Sequence, residues 1–589
     1  MVKAGHTLDL GDPQVLASLV RVALAKDKAD LVIKGGSVYN VFTGEFSLRE
    51  VAIYGDRIAG VGPIGSYKGR NELTVTGYLI PGFIDSHAHV ESTMASPQAL
   101  APILLENGVT TAVVDPHEIA NVAGQKGLDF FLEDIAAAAM DFFLTLPSCV
   151  PATNLEKGGA VLNSQDLAPY LNHPQVIALG EMMNYPGVIN QDPEVLAKIA
   201  LTHKALKRVD GHAPLVSGLP LVAYRAAGVL SDHEAGSAAE AQEKLANGFW
   251  LMIREGTAAR NLKDLWPAIT PRNARFCLFA TDDRHAQDLA TEGSVNHLVR
   301  LAQGLTPDLL PEILNMATLN PALFFGLRDR GAIAPGYLAD FSWYPDLKSW
   351  FPHKVWKNGK LAVDGSALVT PKAPSDRKGD NDLLKTVKIA PLKPESLKVP
   401  ATGSKVRVIG LTPGQLLTDC LTLSWPATNG FYESQVEADI IKIAIWNRYG
   451  GDGTAKVGFI KGLGLKKGAL AQTISHDSHH LVAAGVTDAD ILLAAQTVID
   501  LDGGLALVNE GKVLGSLALP LGGLMSFQPV RAIARALEKL DKIGRDLGLP
   551  PGVDPFLALG FMGLPVIPKL KLTVSGLIMD FKVVDLVLP

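Results

Sequence analysis

Cysteine is scarce in this chain: three thiols in 589 residues, Cys149, Cys277 and Cys420, with no CxxC pair among them. That excludes a disulfide framework and a thiolate zinc site, and it fits a reducing compartment. Long apolar runs are missing as well. No uninterrupted stretch reaches the roughly 18–20 residues that span a bilayer, and Met1–His6 lacks the apolar segment of a secretory signal. A soluble cytoplasmic protein with no membrane partner is expected. Neither sign of charge dominates: 54 Lys and Arg stand against 60 Asp and Glu, a net charge of −6. There is no electrostatic footprint for nucleic acid and no charged tail. With 47% hydrophobic and 19% charged residues the chain is not disordered. Its length exceeds what one core supports, so two or three domains are expected.

What the chain does have is a rhythm. Between residues 76 and 330, short apolar runs rich in β-branched residues alternate with helix-length segments, as βα units do. The runs cover 78–85, 110–115, 142–147, 176–181, 209–212, 229–233, 250–255 and 276–282, with helix-like stretches such as 97–107, 128–139, 194–207 and 238–247 between them. Eight units in about 250 residues is the size of a (β/α)₈ barrel. Nearly every run ends in His, Asp or Glu. Buried parallel strands are apolar throughout, and ionisable groups at their carboxyl ends are where such barrels build active sites.

The fold class read from this pattern is α/β: a TIM-type barrel over 76–330, with a small β-domain contributed by 1–75 and 331–370. Pro371, Pro374, Pro391, Pro394, Pro400 and several lysines mark 371–403 as a linker. A further α/β domain occupies 404–589.

The strongest motif is Pro81-Gly82-Phe83-Ile84-Asp85-Ser86-His87-Ala88-His89, an apolar strand running into His-x-His. Residues i and i+2 of a strand share a face, so both imidazoles can converge on one ion. Companions follow at later run ends: Glu181, His212, His233 and Asp282. Four imidazoles, a carboxylate placed to bridge and a terminal aspartate suffice for two adjacent divalent cations. The set suits manganese or iron first, with zinc and cobalt as alternatives.

This arrangement resembles the amidohydrolase superfamily, and closer motifs resemble one branch of it, the bacterial adenine deaminases. They are His89-Val90-Glu91-Ser92-Thr93-Met94, Asp115-Pro116-His117-Glu118, Asp210-Gly211-His212-Ala213-Pro214, Ile253-Arg254-Glu255-Gly256-Thr257, Thr281-Asp282-Asp283-Arg284-His285 and the distal Ser475-His476-Asp477-Ser478-His479-His480. Many binuclear members of the superfamily carry a carboxylated lysine on the fourth strand; here Glu181 stands there. The resemblance implies hydrolytic deamination of adenine to hypoxanthine and ammonia, with attack at C6, Glu181 bridging the metals, and Asp282 as both ligand and general base. It also implies a small-molecule partner only, and a homo-oligomer, a dimer first.

Other residues keep two readings. Asp115, His117 and Glu118 hold a third metal or orient the first set, or else form a polar loop in which Glu118 begins a helix. Glu91 reads the purine or supports its loop. Arg254 and Glu255 form an ion pair or touch substrate, and Glu234 and Asp283 are further candidate substrate contacts. His476, His479 and His480 cap the barrel mouth or lie on a solvated loop. The rival functions are another aminopurine or aromatic-amine deaminase on the same barrel, and a non-catalytic scaffold. Two other motifs fail: His89-Val90-Glu91 lacks the P-C-x-x-C half of the cytidine-deaminase signature, and the glycines at 450–453 and 462–464 lack a P-loop ending.

Overall fold

The structure is a computed structural model that describes residues 7–153, 156–257, 259–365, 367–369, 382–411, 417–551, 554–565 and 569–589. Eight parallel strands form the barrel: β1 (Phe83–Ala88), β2 (Val109–Val114), β3 (Asp141–Leu146), β4 (Val176–Met182), β5 (Arg208–Gly211), β6 (Ser231–Asp232), β7 (Trp250–Arg254) and β8 (Cys277–Ala280). β1 to β5 make one continuous parallel ladder and β6 to β8 another. Single parallel bridges, Val209 to Val229 and Ala88 to Asp282, close the cylinder on both sides. β2, β4 and β8 are largely apolar or β-branched runs with every residue or all but one buried, as strands between a packed barrel interior and an outer helix layer require, whereas β5 (Arg208–Gly211) and β6 (Ser231–Asp232) are short and polar.

The first apolar run is two elements rather than one. Tyr78–Pro81 pairs antiparallel with Phe341–Tyr344 and parallel with Ser37–Asn40, whereas Phe83–Ala88 enters the barrel. The break falls at Gly82, where a Cβ would strike the Thr110 side chain of β2. Tyr78–Pro81 thus joins N- and C-terminal flanks of the barrel in a seven-stranded sheet, beside a four-stranded sheet from 29–74. The barrel begins a few residues after 76.

The stretch read as a linker is more structured than its prolines suggest. Residues 371–381, with Pro371 and Pro374, lie outside the described residues. From 382 onward the chain is packed: Leu383, Leu397 and Val399 are buried, Lys388–Ile389 pairs with Tyr449–Gly451, and Val399–Pro400 pairs with Phe431–Tyr432. These segments find partners tens of residues away, Lys388 with Tyr449 and Val399 with Tyr432, which local composition does not reveal.

The C-terminal part is built on a mainly antiparallel sheet in which Ile440–Trp446 and Leu481–Gly485 are central, with helices Asp488–Asp500 and Val530–Asp546. It is not a separate lobe. One apolar cluster runs from Met94, Ile119 and Val122 of the barrel into Leu521, Leu524 and Met525. Backbone hydrogen bonds between Ser526 and both Met94 and Ser96 sew the parts together. Among the described residues no helix is long and apolar enough to cross a membrane, and all three cysteines are free.

Candidate metal centre

The ionisable residues at the strand ends converge at the carboxyl-terminal mouth of the barrel. His87 on β1 and His89 just past its end place their Nε2 atoms 3.1 Å from each other. Each ring is fixed from behind. His87 Nδ1 lies 3.1 Å from Asp210 Oδ2, and His89 Nδ1 donates to the Asp115 carbonyl at 3.0 Å. This is the usual way a ligand imidazole is aimed: one nitrogen is tied to an oxygen so that the other faces the ion.

Glu181, at the end of β4, sits between two groups. Its Oε1 lies 3.4 Å from His89 Nε2 and 3.5 Å from His117 Nδ1; its Oε2 lies 2.6 Å from His212 Nδ1 and 3.1 Å from His233 Nε2. Asp282 closes the ring, with Oδ1 3.1 Å from His89 Nε2 and 3.6 Å from His87 Nε2. His87, His89, Glu181, His233 and Asp282 are at most 4% exposed. The His212 side chain, at 25%, opens toward solvent.

The donor set fits divalent cations. Against the penalty of burial, the surrounding carboxylates push His87 up to about 10 and His212 up to about 9, and they hold His89 well above the usual imidazole range. Against the same burial, Arg254 and the imidazoles hold Asp282 well below the carboxylate range, and His212 and His233 do the same for Glu181. Protons thus stand where the chemistry favours positive charge, and a bound metal displaces them. His233 Nδ1 is buried without a hydrogen-bond partner.

Asp282 has φ 55°, in the left-handed region. Asp tolerates this better than most residues, and the turn carries the end of β8 across to β1: Asp282 N–H donates to the His87 carbonyl, and its own carbonyl accepts from His89 N–H. Arg254 fixes the outer oxygen. Its Nη1 donates to both Asp282 Oδ2 and Glu234 Oε1 at 2.5 Å, and its Nη2 donates to Glu234 Oε2 at 2.9 Å. Arg254 and Glu234 therefore form a clamp on Asp282. Glu255 is not part of this assembly: its Oε1 accepts from Leu262 N–H and its carbonyl accepts from Arg284.

The group Asp115, His117 and Glu118 splits three ways. Asp115 Oδ2 accepts the Glu181 N–H at 3.0 Å, packed so closely that Gly180 has no room for a Cβ; it fixes the backbone that carries the Glu181 carboxylate. His117 leans on Glu181, and burial lowers it to about 4. Glu118 turns away toward the C-terminal part, where His476 Nδ1 is 3.1 Å and His479 Nε2 3.8 Å distant. His476, His479 and His480 are buried, so the loop that carries them caps the mouth and is not solvated. Glu91 Oε1 accepts the Ile119 N–H, and Asp283 Oδ1 accepts from Ser92 Oγ at 2.5 Å.

With this geometry in hand, comparison with known proteins is informative. Residues 78–362 match the description "Amidohydrolase family", and residues 415–582 match "Adenine deaminase C-terminal domain". Adenine deaminase 2 of Carboxydothermus hydrogenoformans is 48% identical over 565 residues, covering 96% of this chain and 97% of that one. The adenine deaminases of Desulfatibacillum aliphaticivorans and Brucella melitensis biotype 1 are 42% and 40% identical over 571 residues, covering 96% of this chain and 98% and 96% of theirs. The chain belongs to the adenine deaminase family.

Several supports of this family member's centre escaped the sequence reading, Asp210, Asp232 and Lys244 above all. Asp210 precedes His212 by two on one strand, a spacing that signals a shared face. Lys244, fully buried, donates to Asp232 Oδ2 at 2.6 Å, Ala213 O at 2.9 Å and Glu240 Oε1 at 2.8 Å. Asp232 in turn accepts from the backbone of Ala213, Glu234 and Ala235, and so fixes the loops bearing His212 and His233. Nothing in the sequence ties a lysine on the helix Ala238–Ala246 to this task. Lys244→Met leaves the Asp232 charge buried and unpaired, which costs about 3–5 kcal/mol. A fall in unfolding free energy of that order, read from urea titration, is expected, and a change within about 0.5 kcal/mol contradicts this role.

Proposed function

We propose that the protein hydrolyses adenine to hypoxanthine and ammonia with two divalent cations. One is held by His87, His89, Glu181 and Asp282, the other by Glu181, His212 and His233. The observation that carries this reading is the division of Glu181, one oxygen toward His89 and the other toward His212 and His233. Mixed imidazole and carboxylate donors accept manganese, iron, zinc or cobalt, with manganese or iron as the first choice. When bound, such cations make water acidic enough to act as a nucleophile at neutral pH.

The chain's own residues do the rest. C6 of adenine is a poor electrophile and its amino group a poor leaving group, so addition of water and departure of ammonia both need proton transfers. The water oxygen bonds to C6. One water proton ends on ring N1; the other, carried by Asp282, ends on the amino nitrogen as the C6–N6 bond breaks. Arg254 holds Asp282 Oδ2, leaving Oδ1 toward the centre for this transfer.

Ammonia release from adenine, adenosine, guanine and cytosine tests the reading. Adenine is expected to be turned over at least about a hundredfold more efficiently than adenosine, the order expected when ribose removes a buried polar contact at N9. Guanine, with oxygen already on C6, is not deaminated there. Equal kcat/KM for adenine and adenosine, or a preference for the nucleoside, moves the chain to another specificity on the same barrel.

A further inference from the structure

Beside the metal centre, between the barrel mouth and the capping loop, lies a set of buried polar atoms with no hydrogen-bond partner in the protein. Glu91 Oε2, Asp477 Oδ2 and His479 Nε2 all belong to it, and Glu118 Oε1 beside them is met only by the His476 imidazole, 3.1 Å away. Buried polar groups are nearly always satisfied, and several orphans around one place mark a site whose partner arrives from outside. Glu118 is at its centre. Of the three carboxylates at this rim, Asp283 is engaged by Ser92 and Glu91 by the Ile119 N–H. Glu118, by contrast, faces imidazoles of the C-terminal part, His476 and His479, besides its barrel neighbour His117.

Those imidazoles are themselves fixed. The His476 ring stacks on Phe561, with centroids 4.4 Å apart and planes at 14°, and the backbone N–H of His476 donates to the Gly560 carbonyl. His479 Nδ1 accepts the Ser475 N–H, which leaves the proton of the neutral ring on Nε2, the atom that faces Glu118. A metal ligand needs that nitrogen bare and its other nitrogen donating. This pattern disfavours a third cation and leaves Glu118 as an acceptor faced by His476 Nδ1 at 3.1 Å and, more loosely, by His479 Nε2 at 3.8 Å.

We infer that Glu118, positioned by His476 and His479, is a specificity-determining residue that accepts a hydrogen bond from the imidazole-ring N–H of free adenine. The inference rests on the adenine reading above. C6 must lie against Asp282, and the N9 corner is diagonally across the purine from C6. Glu118 is likewise set off from the centre. It adjoins His117, which touches Glu181, and its own carboxylate meets His476 of the C-terminal part. A carboxylate acceptor recognises a ring bearing N–H at that corner and is left unpaired by any N9-substituted purine. The added C-terminal part thereby acts in substrate selection, through two histidines that touch no catalytic atom.

The test compares adenine with 9-methyladenine, whose methyl removes the donor while adding far less bulk than ribose, using the full-length, metal-loaded protein. The unaltered protein is expected to prefer adenine by about a hundredfold or more. In Glu118→Gln, kcat/KM for adenine is expected to fall at least about tenfold, the scale of a lost charge-assisted hydrogen bond. For 9-methyladenine it stays within about threefold, and metal content does not change. His479→Gln is expected to raise KM for adenine with kcat nearly constant, the signature of a positioning residue. Should Glu118→Gln not fold, Glu118→Asp, which retracts the carboxylate by one methylene, must narrow the same preference.

Equal losses on both substrates, or loss of metal from Glu118→Gln, overturns the inference. Adenine turnover by the unaltered protein with a preference that Glu118 variants leave unmoved overturns it while sparing the adenine reading. No turnover of adenine by the unaltered protein overturns both.

Discussion

Replacement of His87 by alanine is expected to yield a folded protein that has lost metal and nearly all activity. The ring is buried and its Nε2 faces His89 and Asp282, so no neighbouring donor substitutes for it. Metal ions contribute several kcal/mol of transition-state stabilisation. At about 1.4 kcal/mol per factor of ten, the loss in kcat is on the order of 10³-fold or more. Metal content measured on the purified chain falls from close to two ions toward one. Asp210→Asn is a graded companion. It keeps the ligand but weakens the contact that aims it, and metal affinity is expected to fall about 10- to 100-fold. A fully active, metal-free preparation sinks the entire scheme.

Asp282→Asn is expected to lower kcat by roughly 10²- to 10⁴-fold, the scale of a positioned acid–base group, while purine binding and the barrel survive. Survival follows from the backbone, because Asn also tolerates the left-handed conformation at 282. Asp283→Asn is the control. Its Oδ1 already accepts from Ser92, and it lies at the rim, so its effect is expected to be mild. Kinetics and purine titration on the two variants decide the assignment. If Asp283→Asn is the crippling change and Asp282→Asn the mild one, the proton carrier has been misplaced within the pair.

The readability of this chain divides by range. That His87, His89, Glu181, His212, His233 and Asp282 come together was visible because they stand at the ends of apolar runs, and a parallel barrel collects all its strand ends at one mouth. Glu118 and His476 were both noticed, but their pairing was not, because it depends on the loop after Gln472 folding over a barrel that ends far earlier in the chain. The division of the first run at Gly82 was hidden for a related reason. Tyr78–Pro81 and Phe83–Ala88 share one apolar texture, and only the pairing of the former with Phe341–Tyr344 assigns it to a different sheet. Lys244 was hidden by its helix, where a lysine ordinarily faces water.

The hydrogen bond from Ser478 to Glu156 closes a loop of 322 residues, and so imposes an order of assembly during synthesis. The last of the six strand-end donors, Asp282, leaves the ribosome some two hundred residues before the capping loop. At about 5–20 residues per second, that is an interval of roughly 10–40 seconds. Throughout it the mouth of the barrel has no cover, and the six side chains face the surrounding solution directly. The finished chain buries five of them almost completely. The nascent chain is therefore the form in which the centre is most open to whatever cations the surroundings supply.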